Sequence, residues 1–525
     1  MNIIYKNVCV FRKRLMPVNN NMLILCQRFI NKPSTDAIDQ ISYLKSSIDN
    51  KEMDWKGIKE NVLLKRGSLN PKNIDAVMLK VMVGEKKFDA ALSYASYLKL
   101  SSDDLSLGAI NGLLNFYYEY SKENDLSKNE KEFILNTYDQ LYKKYKVLDY
   151  TTCEKLLHAL CAINETKKCK RLLSDIHLSS VPTHSAYSTL IGTLFKNNNK
   201  AEAMKFIQLS LNDKRPLQDA AYDEWIRYIF RRYKDKNTML KYLNEICLHI
   251  SNNCEVVTLT TAKRLKEAFE ELNFIGRFTQ IKKQSGHCEC CNLKLDCIKL
   301  SEDEFATLQR VVKEKLILGN DLFLKTSPEE LKRFTSFVEK TAPYDIVLDA
   351  LNIAYSIGKG DVNERIKILN LVVNHFLDQN KKILFLGRQH MLNWKRGTLM
   401  HTVKKVYSFF TDDISQDDPY FITAAILSGP ETDIVSRDLL RGHRFLLQHE
   451  NLQRLFQMWQ WQHQWMVFVP RHKAIIQAPL TFTPCAQNHD NSWHLPYQPE
   501  NMLNTGHLND GTPDCSNWLC LRAKN

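Results

Sequence analysis

The sequence predicts a multidomain chain with three folded parts: an all-α helical-repeat solenoid, a small cysteine-bearing central domain, and an α/β domain with a parallel sheet. Between Asn70 and Leu272, glycine and strand patterns are almost absent. Closely spaced cysteines then appear in "GHCECCNLKLDC" (286–297). From Tyr344 onward, short aliphatic runs alternate with helical periodicity, which predicts βα units and a parallel sheet. A chain of 525 residues is long enough for several such domains.

Composition limits the partners and the compartment. The formal net charge of +13 favours a polyanionic partner such as nucleic acid. The 14 cysteines occur without a secretory apolar segment, which argues against a disulfide framework. No apolar run reaches the length that a membrane-spanning helix needs, so we expect no membrane partner.

The first 35 residues are basic and contain no acid, since Asp36 is the first acidic residue. Such a partly amphipathic leader is typical of a mitochondrial transit peptide, which predicts a location in the mitochondrial matrix. The alternative is a disordered basic arm. Residues 36–69 are interpreted as a linker that precedes the helical part.

The helical part, residues 70–272, contains a repeat. In "AYSTLIGTLFKNNNKAEAMKFIQLSL" (186–211), Tyr187 recurs as Tyr222, and the spacing of about 34–35 residues is that of a helix–turn–helix repeat. Such units bury their apolar faces only by stacking into a solenoid. Irregular helical packing with a chance period is the alternative. The stretch resembles the pentatricopeptide (PPR) consensus, whose arrays generally bind RNA.

The α/β part, residues 301–485, begins with two helices whose starts carry capping patterns. These are Ser301 with Glu304, and Ser327-Pro328 with Glu330 three residues after Ser327. Strands and helices then alternate in the following order: strand 345–349, helix 365–377, strand 381–387 ended by Gly387, helix 420–429, strand 432–438 and strand 464–470.

Acidic residues lie where these strands and helices meet. The four candidates are Asp349, Asp417, Asp418 and Asp438. The first ends "IVLD", the last ends "IVSRD", and the middle pair precedes a proline suited to the first helical position. Ligands of an open parallel sheet bind beyond its strand ends, so we expect these acids to converge. Converging carboxylates repel one another unless a cation such as Mg²⁺ (or Mn²⁺) joins them. Any one acid could instead be a helix cap or a loop residue; Asp412 and Asp413 are interpreted as loop acids.

The cysteine segment indicates a second metal. Cys288 and Cys291 form a CxxC pair, which is typical of structural zinc. A local site with His287 and Cys297 would crowd all ligands into a few residues, so a second ligand pair from another segment is favoured. The alternative is that these cysteines are buried free thiols.

Three segments carry a resemblance to a known family. "VLDALNIAY", "SQDDPYFITAAILSG" and "IVSRDLLRGHRFLL" resemble the metallonuclease (NYN, PIN-like) domain of protein-only RNase P. The order of the whole chain is similar too, from the PPR array through the cysteines and the nuclease to "SWHLPY" and "WLCL". The wording "DDISQDDP" is closest to the animal mitochondrial branch.

The resemblance implies a metal-dependent endoribonuclease that removes the 5′ leader of precursor tRNA as the catalytic subunit of mitochondrial RNase P. Its products would carry a 5′ phosphate and a 3′ hydroxyl. The four aspartates would bind Mg²⁺ (or Mn²⁺), with Asn352 and His443 in support. Two positions depart from the family pattern, because Ala350 replaces a common glycine and Gly442 replaces an expected acid.

The resemblance also supplies the second half of the zinc site. It implies a Zn²⁺ ion held by four residues: Cys288, Cys291, His494 and Cys520. Cys515 is the rival for the last ligand. The central domain would then comprise residues 273–300 and 486–525, with the nuclease domain inserted between them.

Animal members of the family work with a tRNA methyltransferase and a short-chain dehydrogenase-like protein, which are the expected partners besides precursor tRNA. Two alternative functions stay open. One is a PIN-like ribonuclease that acts on other structured RNA, and the other is a catalytically inactive PPR adaptor that only binds RNA.

Overall fold

A computed structural model describes most of the chain beyond the leader. The described residues are 39–48, 54–101, 105–314, 328–358, 360–394, 396–412, 417–438, 440, 450–470, 474–499 and 516–524. The transit peptide expected in residues 1–35 lies outside them. The chain divides into two compact units, Met1–Ser179 and Ser180–Asn525. Among the described helices, none is both long and apolar enough to cross a bilayer.

The first unit is helical throughout its described part. Its helices are α1 (Gln40–Ser47), α2 (Trp55–Leu64), α3 (Ile74–Gly84), α4 (Phe88–Ser101), α5 (Leu107–Tyr120), α6 (Lys128–Lys144), α7 (Tyr150–Ala162) and α8 (Thr166–His177). Alternate helices pack side by side, α3 on α5 and α5 on α7, as in a stacked repeat array.

The segment 36–69 is not the linker that the sequence suggested. It contains α1 and α2, whose Leu44, Trp55 and Val62 are buried. Burial of these apolar side chains stabilises the two helices.

The second unit begins with further helices of the same kind. They are α9 (His184–Lys196), α10 (Lys200–Asn212), α11 (Asp219–Arg232), α12 (Lys236–Asn252) and α13 (Leu259–Glu271). Again the alternate helices pack together, α9 on α11 and α11 on α13. The starts of α7, α9 and α11 are spaced by 34 and 35 residues, so the predicted repeat period is confirmed.

The recurring tyrosines have a structural role in these repeats. Tyr187 on α9 is buried and donates its hydroxyl hydrogen bond to Asp213, the residue that ends α10. Tyr222 on α11 is buried and donates in the same way to Glu255, just beyond α12. Each tyrosine therefore ties the first helix of a repeat to the end of the second.

A small sheet forms the centre of the second unit. Its strands are β1 (Val257–Thr258), β2 (Phe274–Thr279), β9 (Gln487–His489), β10 (Ser492–Gln498) and β11 (Trp518–Ala523). The order is β1–β10–β11–β2, with β9 beside β10. Because β2 pairs with β11 over Phe274–Thr279, the segments before and after the α/β domain belong to one sheet, and that domain is an insertion.

The inserted domain is an α/β structure. Its helices and strands are α14 (Glu302–Val312), α15 (Pro328–Thr341), β3 (Ile346–Asp349), α16 (Ala350–Ala354), α17 (Val362–Leu377), β4 (Ile383–Arg388), α18 (Arg396–Val403), β5 (Tyr407–Thr411), α19 (Asp417–Ser428), β6 (Asp433–Val435), α20 (Glu450–His463), β7 (Gln464–Phe468) and β8 (Ile475–Gln477). Short 3₁₀ helices follow α16 and β4, at Tyr355–Ile357 and Gln389–Asn393.

The strand order of this sheet is β5–β4–β3–β6–β7–β8. All pairs are parallel except β7 with β8. Successive side chains of β3 enter different layers: Val347 packs in one apolar cluster, and Ile346 and Leu348 pack in the other. The chain moves from β3 to β4 on one side and later returns to place β6 on the other. The sheet therefore has its topological switch point between β3 and β6.

Three details differ from expectation. The strands β5 and β8 and the central sheet were not predicted. Gly387 does not end β4, because the strand continues to Arg388. A Cβ at Gly387 would lie 2.9 Å from Phe410 on the neighbouring strand. The inserted domain also ends before residue 485, because Thr483 donates its N–H to the Asp296 carbonyl at 3.0 Å and Phe482 packs near Trp518.

Candidate active site and metal centre

Asp349 is the centre of the candidate active site. It is the last residue of β3, a strand buried along its whole length, and it is itself only 3% exposed. Its carboxylate caps α16 by accepting the Asn352 N–H at 3.2 Å, and it accepts the Asn352 side-chain amide at 2.6 Å. The Ser436 hydroxyl donates a third hydrogen bond at 2.8 Å. These three donors fix the orientation of the carboxylate.

Ser436 joins Asp349 to the second acid. It follows directly after β6 and is fully buried. Its hydroxyl oxygen donates to Asp349 and accepts the backbone N–H of Asp438 at 3.0 Å. Asp438 is half-buried, and one of its carboxylate oxygens accepts the Leu440 N–H at 3.1 Å. Both acids therefore lie at the switch point of the sheet, where ligands of such sheets bind.

Gln464, the first residue of β7, fixes the backbone of the loop that bears Asp438. The Gln464 side-chain amide donates to the carbonyl oxygens of Ser436 at 3.0 Å and Asp438 at 2.7 Å. Its own oxygen accepts from Gln460 at 2.7 Å. Sequence reasoning missed both Ser436 and Gln464. The position of Ser436 directly after an apolar run was the one available indication.

The remaining predicted residues are described in part. Asp417 and Asp418 are the first two residues of α19, which begins two residues before Pro419 rather than at it, and their side chains lie outside the described part. His443, Gly442 and Asp413 also lie outside the described residues. Of the four predicted metal-binding aspartates, Asp349 and Asp438 are the two whose side chains the structure describes. Their hard oxygen atoms suit Mg²⁺ or a similar divalent cation.

Three other expectations concern Asp412, Ala350 and the strand that precedes Asp438. Asp412 follows β5, is exposed, and donates its backbone N–H to the buried Glu330 carboxylate at 2.6 Å. It therefore stays a loop acid, and Glu330 anchors that loop. Ala350, which replaces a common glycine, is fully buried at the start of α16. Asp438 does not end a strand, since β6 stops at Val435.

A second cluster brings together four sulfur and nitrogen ligands. Its members are Cys288, Cys291, His494 and Cys520, whose ligand atoms all lie within 4.8 Å of one another. His494 and Cys520 are directly opposite each other on β10 and β11, so their side chains share one face of the sheet. The Cys291 sulfur lies 3.3 Å from His494 Nε2. Three thiols and one imidazole at these separations fit a tetrahedral metal ion.

The hydrogen bonds within this cluster polarise its thiols. The hydrogen bond from Cys520, with a further one from His494, lowers the pKa of Cys288 to about 3. Burial raises the pKa of Cys291, and the hydrogen bond with Cys288 raises that of Cys520 well above its usual value. A thiolate is the form that binds metals. The cluster can thus hold a metal ion, whereas the local alternative with the exposed Cys297 is not the arrangement found among the described residues.

Comparison with known proteins agrees with this architecture. Residues 282–520 match the family model for PRORP, protein-only RNase P. The mitochondrial ribonuclease P catalytic subunits of Mus musculus and Rattus norvegicus are 32% and 31% identical over 404 residues. These alignments span 74% of this chain and 67% and 66% of the two relatives. The alignments thus span about two-thirds of the relatives' length.

A solved structure is similar in fold over most of the chain. Nuclear proteinaceous RNase P 2 (PRORP2) from A. thaliana superposes with a TM-score of 0.57 at 15% identity, covering 87% of this chain and 100% of that one. The fold and the site define a helical-repeat protein that carries an inserted α/β nuclease domain. From its sequence relatives, the chain belongs to the protein-only RNase P family.

Proposed function

We propose that the chain is a metal-dependent endoribonuclease that removes the 5′ leader of precursor tRNA, as the catalytic subunit of a mitochondrial RNase P. The observation that carries the proposal is the buried Asp349 at the switch point, linked through Ser436 to Asp438. Burial of a carboxylate beside a second acid destabilises a fold unless the pair serves a cation or a substrate.

The residues that would hold Mg²⁺ (or Mn²⁺) are Asp349, Asp417, Asp418 and Asp438. When bound, the ion would neutralise the charge of the phosphodiester and lower the pKa of the attacking water. The chain itself orients the acids: Asn352 and Ser436 fix the Asp349 carboxylate, and Gln464 holds the loop of Asp438. His443 is proposed to support the site. The products would be a tRNA with a 5′ phosphate and a leader with a 3′ hydroxyl.

The helical repeats are proposed to bind the tRNA, and the central domain is proposed to be stabilised by zinc. The PPR-like helices would contact the folded body of the tRNA, in line with the net charge of +13. Zn²⁺ at Cys288, Cys291, His494 and Cys520 would stabilise the central domain. The relatives' names support a mitochondrial location, and the matrix is the proposed compartment.

The test is incubation of the purified chain with one precursor tRNA and Mg²⁺, followed by mapping of the product's 5′ end. Parallel reactions add the two expected partners, a tRNA methyltransferase and a short-chain dehydrogenase-like protein. Cleavage at the mature 5′ end is the expected result. Equal cleavage of an unstructured RNA would instead favour the general ribonuclease, and binding without cleavage under every condition would favour the inactive adaptor.

Asp438→Asn should abolish cleavage and leave precursor binding unchanged, because it removes one carboxylate charge while it keeps the size of the side chain. Asp412→Asn is the matched control, since Asp412 is an exposed acid that engages Glu330 through its backbone. Single-turnover rates and filter-binding affinities measure the two effects. A normal rate for Asp438→Asn in Mg²⁺ would show that the site is wrong.

A further inference from the structure

Three aromatic residues and an arginine lie near Asp349 and Asp438, at the switch point of the sheet, which is called the acidic crevice below. The Arg365 guanidinium lies 4.0 Å from the ring centroid of Tyr355 and 6.0 Å from that of Trp394. The centroids of the Tyr355 and Trp394 rings are 6.3 Å apart with an angle of 63° between the ring planes, and the His390 ring lies 5.9 Å from Trp394. None of these residues has a role in the proposed chemistry.

The topology puts this group at the same sheet edge as the acids. Tyr355 begins the 3₁₀ turn after α16, six residues beyond Asp349 at the end of β3. Trp394 follows the 3₁₀ helix that leaves the end of β4. Since β3 and β4 are parallel neighbours, both turns emerge at one edge. The turn of Tyr355 also touches the acidic loop, because Arg437 donates to the Ser356 carbonyl at 3.4 Å.

The surface of this group suits an unpaired nucleotide. Tyr355 is 43% exposed, whereas Trp394 packs against a buried apolar cluster of the α/β domain. In the described part of the chain, the buried Nε of Arg365 has no hydrogen-bond partner, and the guanidinium packs against the Tyr355 ring. An exposed aromatic ring backed by an arginine can stack on a base and attract its phosphate, as in proteins that bind single strands.

We propose that Tyr355 and Trp394, with Arg365 against their rings, form a stacking platform for an unpaired leader nucleotide beside the scissile phosphate. The inference rests on the proposed function. Nucleotides on the tRNA side of the cut are paired in the acceptor stem and have no free base face, whereas leader nucleotides are single-stranded. The platform therefore receives the leader side of the cleavage site.

The test compares the full chain, with the partners that support cleavage, on two precursors. One has a normal leader, and the other has abasic nucleotides at the two leader positions next to the cut. Tyr355→Ala and Trp394→Ala should each raise KM for the normal precursor about tenfold, since base–aromatic stacking has about that strength. They should change KM for the abasic precursor little, because the stacking partner is already missing.

Two variants separate stacking from folding. Tyr355→Phe keeps the ring and should behave like the wild type. Tyr407→Ala removes a tyrosine of equal exposure, 43%, from the opposite end of the sheet and should leave KM unchanged. If the alanine variants at the platform lose activity equally on both precursors, the proposal is overturned.

A direct measurement uses 2-aminopurine in the leader next to the cut, in an Asp438→Asn background that keeps the leader attached. The 2-aminopurine fluorescence should be quenched when this protein binds the precursor. It should stay unquenched when the protein also carries both Tyr355→Ala and Trp394→Ala. An unquenched base in a bound complex would also refute the platform. Failure of the proposed function is distinguishable, because the unmodified wild-type chain would then not cleave the normal precursor at its mature 5′ end under any condition.

Discussion

Ser436 carries two of the hydrogen bonds that organise the acidic crevice. Its hydroxyl is a donor to one acid and an acceptor for the backbone of the loop that bears the other. A serine can do both at once because the hydroxyl has one hydrogen and two lone pairs. The geometry of the crevice thus depends on a residue that has no charge of its own.

Ser436→Ala should lower both stability and cleavage rate. The buried Asp349 carboxylate loses a charge-assisted donor and the Asp438 N–H loses its acceptor, a change that costs about 1–3 kcal/mol. Chemical denaturation and single-turnover rates measure the two effects. Ser174→Ala is the control, because Ser174 is exposed and bonds only within its own helix. An unfolding midpoint equal to that of the wild type would contradict this role.

Among the elements, β4 shows how closely the α/β sheet is packed. Gly387 lies opposite Phe410 of β5, and a Cβ at that glycine would be 2.9 Å from the Phe410 ring and 3.2 Å from the Met391 sulfur. The missing side chain makes room for an aromatic ring between neighbouring strands. The glycine is therefore a packing position rather than the end of a strand.

Gly387→Ala should destabilise the chain by about 1–3 kcal/mol, because the added methyl group forces the Phe410 ring to move in a packed layer. Thermal unfolding of the purified protein measures the change. Gly84→Ala is the control: a Cβ at Gly84, the last residue of α3, meets no atom within 4 Å. This control should be neutral or slightly stabilising. Equal melting temperatures for the two variants would refute the packing role.

The sequence predicted those elements whose patterns are long or end in an unusual residue. Asp349 was found because an acid directly ends a wholly apolar strand, and the repeat was found because Tyr187 and Tyr222 share one period. The strands β5 and β8 were missed, since five and three residues carry too little periodicity. Strand ends depend on backbone pairing, so the stop of β6 at Val435 was not visible either.

The ligands of the candidate metal centre also show that local sequence patterns do not predict contacts between distant segments. A CxxC pair is local and could be read from the sequence, whereas the other two ligands depend on the register of β10 against β11. Nothing in the local pattern specifies that His494 lies opposite Cys520. Only the family resemblance suggested that pair, and the structure brings all four ligand atoms together.

For the whole molecule, the central sheet joins the segment before the α/β domain to the segment after it, and the cysteine–histidine cluster that could hold a metal ion draws on the same two segments. A strong chelator should remove one zinc per chain, and Cys520→Ser should prevent that zinc from binding. Either change should make the central domain sensitive to protease. Metal analysis and limited proteolysis measure this. Cys297→Ser should keep its zinc, since Cys297 is exposed and outside the cluster. A metal-free chain with full protease resistance would refute a structural role.

The pairing of β2 with β11 also sets an order of events during synthesis. Cys291 and His494 are 203 residues apart, and the last strand is made last. The helical repeats and the α/β domain are therefore synthesised before His494 and Cys520 can join Cys288 and Cys291, and they can begin to fold on the ribosome in that interval. A chain truncated before β11 would contain the whole α/β domain and would lack both Cys520 and the strand that pairs with β2.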